Sequence, residues 1–287
     1  MVLTRSKVLF DVGRAVCLLL LAGAINRALT QQPAVVALPF SRGEELIYKA
    51  EFTRGLLRGV DVAEFHFRAD MENPVSNYGN NGNPFVGHLI SDVTSQGFFT
   101  KLVGFHFHQR VDSTVEPKPF TVLRTSKLEE AGKRVRVSEA IFDHETKKVT
   151  WSEHDPNQSQ APRTSVTDFM EPIQDVLTAI YFLRTQRLQV GRSFEVPLSD
   201  AGRVYRLSVA VVERTKIKTA IGHVNVLRIE PALFGENGMV RSQRGTLSIW
   251  ITEDSRHLPV KAQLKINLGT FDIKLKRISY HETSRAR

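Results

Sequence analysis

The chain has 287 residues, 41% of them hydrophobic, 24% charged and 8% aromatic, the balance of an ordinary folded protein and not of a disordered tail, a collagen-like repeat or a multi-span membrane protein. Lysine and arginine outnumber aspartate and glutamate by 39 to 30, for a net charge of +9, which favours anionic partners or surfaces and says nothing about fold. A chain of this length buries enough surface to fold without disulfides or a structural metal.

The first segment has the layout of an export signal. Arg5, Lys7 and Arg14 form a basic region, Ala15 to Ile25 is an unbroken apolar run, and Ala22-Gly23-Ala24 supplies small residues at the spacing a signal peptidase accepts. Cleavage after Ala24 is expected. The run reaches about half of the roughly 20 residues a spanning helix needs, so no transmembrane span is expected in the mature protein. The only cysteine, Cys17, lies inside this run and too early to resemble a lipoprotein cysteine. The mature chain then has no disulfide, thiol nucleophile or cysteine-based metal site. Residues 25–38 read as a linker, and residues 39–281 as a single β-rich domain in the periplasm or outside the cell.

From Glu44 onward the dominant period is two, the mark of strands with one face buried. Phe65 and Phe67 share a face with Ala63, opposite Glu64, His66 and Arg68. Further alternating runs cover 86–94, 105–111, 120–125, 134–142, 148–152, 203–213 and 223–229. Leu247, Ile249 and Ile251 alternate with Ser248, Trp250 and Thr252. Val260 to Ile266 and Phe271 to Leu275 continue the pattern. Roughly a dozen strands joined at short spacing predict an all-β, antiparallel meander, a single highly curved sheet or open β-barrel.

One segment changes period. Asp168, Glu171 and Pro172 resemble a helix start, and Ile173, Val176, Leu177, Ile180 and Tyr181 follow an amphipathic stripe. A single helix over Pro172 to Arg187 is expected, stopped before Gly191 and packed on the sheet. Residues 73–84 and 153–167 read as irregular loops.

Three groups of residues together carry a family resemblance. They are Asp175–Arg184 followed by Gly191; the pair Arg203–Glu213 and Gly222–Pro231; and Ile249–Asp254 followed by Arg256, Pro259-Val260 and Gly269. The opening Pro39–Tyr48 adds to them. In this order they resemble an exported bacterial family, domain of unknown function 3108, over roughly Pro39 to Tyr280, with 73–84 as an insertion. The resemblance implies a curved antiparallel sheet in the periplasm or outside the cell, and implies no activity.

His106 and His108 project from one strand face, and with His66 they form a candidate metal set, weighed against an ordinary polar face. Asp254, Arg256 and His257 lie between two strands, where turn chemistry accounts for them and Asp254 is expected to pair with Arg256. Serine-nucleophile, phosphate-loop and zinc-helix motifs are absent, and no cofactor is expected. Lys261, Lys265, Lys274 and Lys276, joined by Lys216 and Lys218, predict a basic outer face, either simply solvated or drawn to anionic lipid head groups or cell-wall polymers. Nucleic acid is disfavoured by export and by the lack of interleaved exposed aromatics.

The leading expectation is a non-catalytic envelope protein holding a lipid-like ligand inside the curved sheet, with Ile173, Leu177, Ile180 and Tyr181 of the helix as lid or wall. An envelope scaffold acting through its basic surface is the alternative, and a metal-dependent enzyme using the strand histidines the third.

Overall fold

The computed structural model describes residues 38–72, 85–97, 100, 106–235, 239–240 and 244–281. The expected leader, most of the linker and the loop at 73–84 lie outside these residues. The body begins at Leu38, which packs against the buried ring of Phe40.

Among the described residues, fourteen strands build one antiparallel sheet. In chain order they are β1 (Glu44–Arg54), β2 (Leu57–Glu72), β3 (Val86–Ser95), β4 (Phe107–Pro117), β5 (Phe120–Ala131), β6 (Arg134–Asp143) and β7 (Lys148–His154). They continue as β8 (Arg163–Asp168), β9 (Ser193–Asp200), β10 (Arg203–Thr219), β11 (Gly222–Pro231), β12 (Gly245–Thr252), β13 (Pro259–Ile266) and β14 (Gly269–Tyr280). The order across the sheet is β8-β7-β6-β5-β4-β3-β2-β1-β14-β13-β12-β11-β10-β9. Every neighbour except β1 and β14 is also a neighbour in sequence. That one long-range seam pairs Glu44 with Tyr280 at one end and Thr53 with Thr270 at the other. The curved, open antiparallel sheet expected from the alternation is therefore present, with β8 and β9 as its edges.

Two strands lie where none was expected. β8 overlaps 153–167, read as irregular, and carries a single large apolar side chain, Val166, which is exposed. β9 contains Pro197, which an edge strand tolerates because it has no amide hydrogen to donate to a further neighbour.

The connection between the two edges holds α1 (Val176–Phe182) and a 3₁₀ turn over Leu183–Thr185. The helix is shorter than the expected Pro172–Arg187. Its cap is Asp175, whose side chain accepts from the Thr178 amide while the Thr178 hydroxyl accepts from the Asp175 amide. Asp168 instead ends β8, paired with Lys148 at 2.8 Å, and Glu171 pairs with Arg206 ahead of the helix. Ile173 and Gln174 are extended because the sheet claims their backbone. The Val122 amide donates to Ile173 O, the Gln174 amide to Pro197 O and the Ser199 amide to Gln174 O. This stretch thus bridges β5 and β9 across the inside of the sheet.

A helix of seven residues is not stable alone, so packing must hold it. Leu177 and Tyr181 are buried with Phe40, Leu89, Val115 and Phe120, while Ala179 joins Val196, Leu198, Val209 and Ile229 on the other side. The helix therefore ties the two arms of the sheet together. Its far end is anchored by Arg184, buried against Glu44 of β1 with both nitrogens on both carboxylate oxygens, at 2.6 and 3.1 Å. Arg184 Nε donates to Arg256 O at 3.1 Å, in the turn where Arg256 also pairs with Asp254 as expected. Leaving either partner of such a buried pair alone would be strongly destabilising.

Candidate functional site

The inner face of β1, β2 and β12–β14, with the helix and Leu198, encloses a cavity of about 280 Å3. Leu46, Phe65, Phe67, Leu247, Ile249 and Ile273 form its sheet wall, and Val176, Ala179, Ile180 and Leu183 its helical wall. Three of the polar residues bordering it have their polar tips occupied elsewhere, while the buried hydroxyl of the fourth, Tyr181, has no hydrogen-bond partner among the described residues. Tyr48 Oη donates to Pro259 O at 2.8 Å, Arg184 is held by Glu44, and the Lys261 ammonium lies 4.6 Å over the Trp250 ring and 3.3 Å from Asp272. Burial pushes both the Tyr48 and Tyr181 phenols above their ordinary range, so neither brings a charge to the wall. The wall is hydrocarbon in all but name.

A second cavity of about 370 Å3 lies on the other side of Phe65, Phe67, Val176 and Ile180, which border both spaces. Its remaining wall comes from β3–β7 and the β9–β10 turn, and is mixed: Val93, Val111, Ala140 and Phe142 beside Ser91, Gln109, Lys127 and Ser138. Gly202 in that turn, at φ +73°, closes on Trp151 and Ser165. A β-carbon there would stand 2.1 Å from Ser165 Oγ and 3.2 Å from Trp151 Cβ. Asp175 also borders this space, but its carboxylate is engaged by the hydroxyls of Ser113 and Thr125 as well as by the helix amide.

Of the four helix-region residues singled out from the sequence, Ile180 borders both cavities, Tyr181 the apolar one and Leu177 the mixed one. Ile173 borders neither. It is fully buried with Val122, Phe142, Val149 and Phe169. Val176, absent from that expected set, is the most open wall residue of the helix, half exposed because it faces both spaces. The mixed wall on β4–β6 also went unforeseen. Its only sequence signal is that polar residues occupy both parities there, as in Phe107-His-Gln-Arg-Val-Asp112.

The histidines stand on the outer face and are kept apart by the register. His66 lies opposite Asp92 and His108 opposite Thr94, so β3 runs between the two. His66 Nε2 is 2.7 Å from Glu64, and His108 Nδ1 is 2.8 Å from Glu130. His106 precedes β4 and is exposed. Among the described residues no three His, Cys, Asp or Glu side chains converge as a metal set. What the face does form is a ladder of histidine–carboxylate pairs, extended by His88 with Asp112 at 2.5 Å and Glu72 at 3.0 Å.

The four lysines are spread over outward positions of β13 and β14, with acids among them. Lys274 and Lys276 reach Glu51 at 2.6 and 3.5 Å, Lys261 reaches Asp272, and Lys265 is exposed. The face is charge-mixed. Among the described residues no helix is long and apolar enough to cross a membrane.

The architecture is similar to that of a β-barrel-like protein of domain of unknown function DUF1849 from Brucella abortus, with a TM-score of 0.51 at 10% identity over 85% of this chain and all of that one. At that identity the likeness concerns the fold alone. A protein of YmcC-like fold from Bacteroides fragilis aligns over 84% of this chain and 98% of its own, at 8% identity and a TM-score of 0.33. No curated protein matches the sequence. The family profile that does match spans residues 52–276, from within β1 to within β14. The order of strands and helix from which the resemblance was drawn therefore stands, and the chain belongs to DUF3108, a family of proteins of unknown function.

Proposed function

We propose that this is an exported, non-catalytic binding protein that holds one elongated apolar ligand between the helix and the inner face of the sheet. The observation that carries the reading is the apolar cavity of about 280 Å3, at whose border the polar tips of Tyr48, Arg184 and Lys261 are turned to partners of their own. Ligand pockets of roughly 300–1,000 Å3 hold drug-sized molecules, so the space suits a single acyl chain or comparable hydrocarbon. Exposed hydrocarbon on Val176 and Ile180 would gain about 25 cal/mol for each Å2 covered. Export is supported by the basic and apolar layout of residues 1–24.

The test uses the uncharged fluorophore N-phenyl-1-naphthylamine with the purified full chain. Saturable enhancement at one site per chain is expected. Ala262→Trp, which fills the cavity from β13, should weaken the fluorophore about tenfold or more while unfolding stays cooperative. Absence of saturable binding would sink the proposal.

A further inference from the structure

We propose that the two cavities form one amphiphile site, the apolar one taking the hydrocarbon chain and the mixed one an uncharged, polyhydroxylated head group of the sugar type. This rests on the reading above for the apolar half.

Continuity comes first. Phe65, Phe67, Val176 and Ile180 border both spaces, and Val176 keeps half of its surface open although it sits in a helix packed against the sheet. A ligand lying across these four residues would cover that surface on both sides.

The polarity of the inner face then changes in one direction around the sheet. On β12–β14 the inward residues at the cavity are Leu247, Ile249, Ala262 and Ile273, whereas on β4–β6 they include Gln109, Lys127 and Ser138. Inward positions of a curved antiparallel sheet ordinarily carry core side chains, so packing does not account for the polar set. A smaller space of about 120 Å3 continues it outward past Trp151, bordered by Glu129, Arg136, Glu153 and Asp200.

The composition of this half selects the head group. Lys127 lies 3.3 Å from Glu129, which also accepts from Gln109 at 3.3 Å, and Glu153 lies 3.5 Å from Arg163. Cations are thus matched by acids, and Asp175 and Asp200 add negative charge. Arg136, opposite Glu129 in the register, has no ion pair among the described residues, but Lys127 and Arg136 stand among the four acids Glu129, Glu153, Asp175 and Asp200, so an anionic head would meet net negative charge. Hydroxyl groups both donate and accept, and the wall offers amide and ammonium donors beside carboxylate and hydroxyl acceptors. The Trp151 indole borders both polar spaces and supplies a flat apolar surface against which the C–H face of a sugar ring can lie.

The experiment compares three amphiphiles with the same dodecyl chain, all below their micellar concentrations: dodecyl maltoside, dodecyl phosphate and dodecyltrimethylammonium. Binding to the full chain is read by native mass spectrometry. In a Trp250→Phe background, emission from Trp151 reports the head group directly. Maltoside is expected to bind about tenfold more tightly than either charged analogue and to shift Trp151 emission. Trp151→Leu and, independently, Gln109→Leu should erase that preference and leave N-phenyl-1-naphthylamine binding unchanged, because neither residue borders the apolar cavity. Equal or tighter binding of the phosphate or the ammonium compound would overturn the head-group assignment, as would maltoside binding with unaltered Trp151 emission. If the fluorophore binds and the maltoside preference is missing, only the present inference fails. If the fluorophore does not bind, both fail.

Discussion

His88 and His108 each stand on the outer face between two carboxylates, and their titration follows from that. The hydrogen bond that the His88 imidazolium donates to Asp112 holds its pKa above the ordinary 6.5, aided by Glu72 and opposed by burial. For His108 the hydrogen bond to Glu130 dominates, with Asp92 adding to it. On the acid side, burial is the largest single influence and would raise the Asp112 carboxyl, but the His88 hydrogen bond and the charges of His88, Arg110 and Arg124 together hold the group below its ordinary 3.8. A raised folded pKa means stabilisation that is complete below 6.5 and lost as pH rises through the folded value, whereas the Asp112 contribution is complete above 3.8 and lost as pH falls through its own. These pairs therefore stabilise the sheet most between those two values. Ring-proton NMR titration should place both histidine midpoints above 6.5, and His88→Gln with His108→Gln should flatten the fall in unfolding free energy from pH 6 to 8. Midpoints at or below 6.5 would refute the account. The candidate metal set is dispersed for a separate reason: β3 runs between His66 and His108, and His106 precedes β4.

The helix illustrates how an element's pattern and its extent are different kinds of information. The stripe at Ile173, Leu177, Ile180 and Tyr181 was legible because burial alternates with helical period, and three of the four are indeed buried. Its start was not legible, since Ile173 keeps the same inward direction whether the chain is helical or extended, and only the pairing with Val122 and Leu198 decides. The cap then falls on Asp175, which no local preference distinguishes from Asp168. Three hydroxyl or amide donors converge on that one buried carboxylate from β4, β5 and the helix. Asp175→Ala should therefore lower stability by about 2 kcal/mol or more, above an ordinary cap, because it also strands the buried Ser113 hydroxyl. Urea unfolding measures this, and a loss within about 0.5 kcal/mol of zero would show the cluster to be energetically idle. Strands obeyed the same logic. Those with one buried face, such as β2 and β12, announced themselves by alternation, while β8 has little to bury and β9 is interrupted by Pro197. The cavity walls were legible only on their apolar side, because an inward glutamine or lysine looks in sequence like an outward one.

At the scale of the whole molecule the seam between β1 and β14 dominates. It brings the two ends of the described body together, with the His281 amide donating to Gly43 O at 2.8 Å. A permutant that joins residue 281 to residue 38 through a short flexible linker, and opens in the exposed stretch 156–162, keeps every strand pair intact. It should unfold in one cooperative transition and retain the bound fluorophore. A molten far-ultraviolet signal without near-ultraviolet structure would count against the seam as drawn. All other strand pairs join strands adjacent in the chain, as hairpins that can form while the polypeptide is still being made, and on one side β1 is paired in this way with β2. Its other side differs, for the Lys274 and Glu51 that pair across the seam are 223 residues apart. One long side of this largely buried strand stays bare until the final dozen residues of the fold arrive, and a bare strand edge invites pairing with other chains. The last segment to emerge is thus the one that seals the first. A chain cut short before Gly269 would carry thirteen complete strands and still be an aggregation hazard.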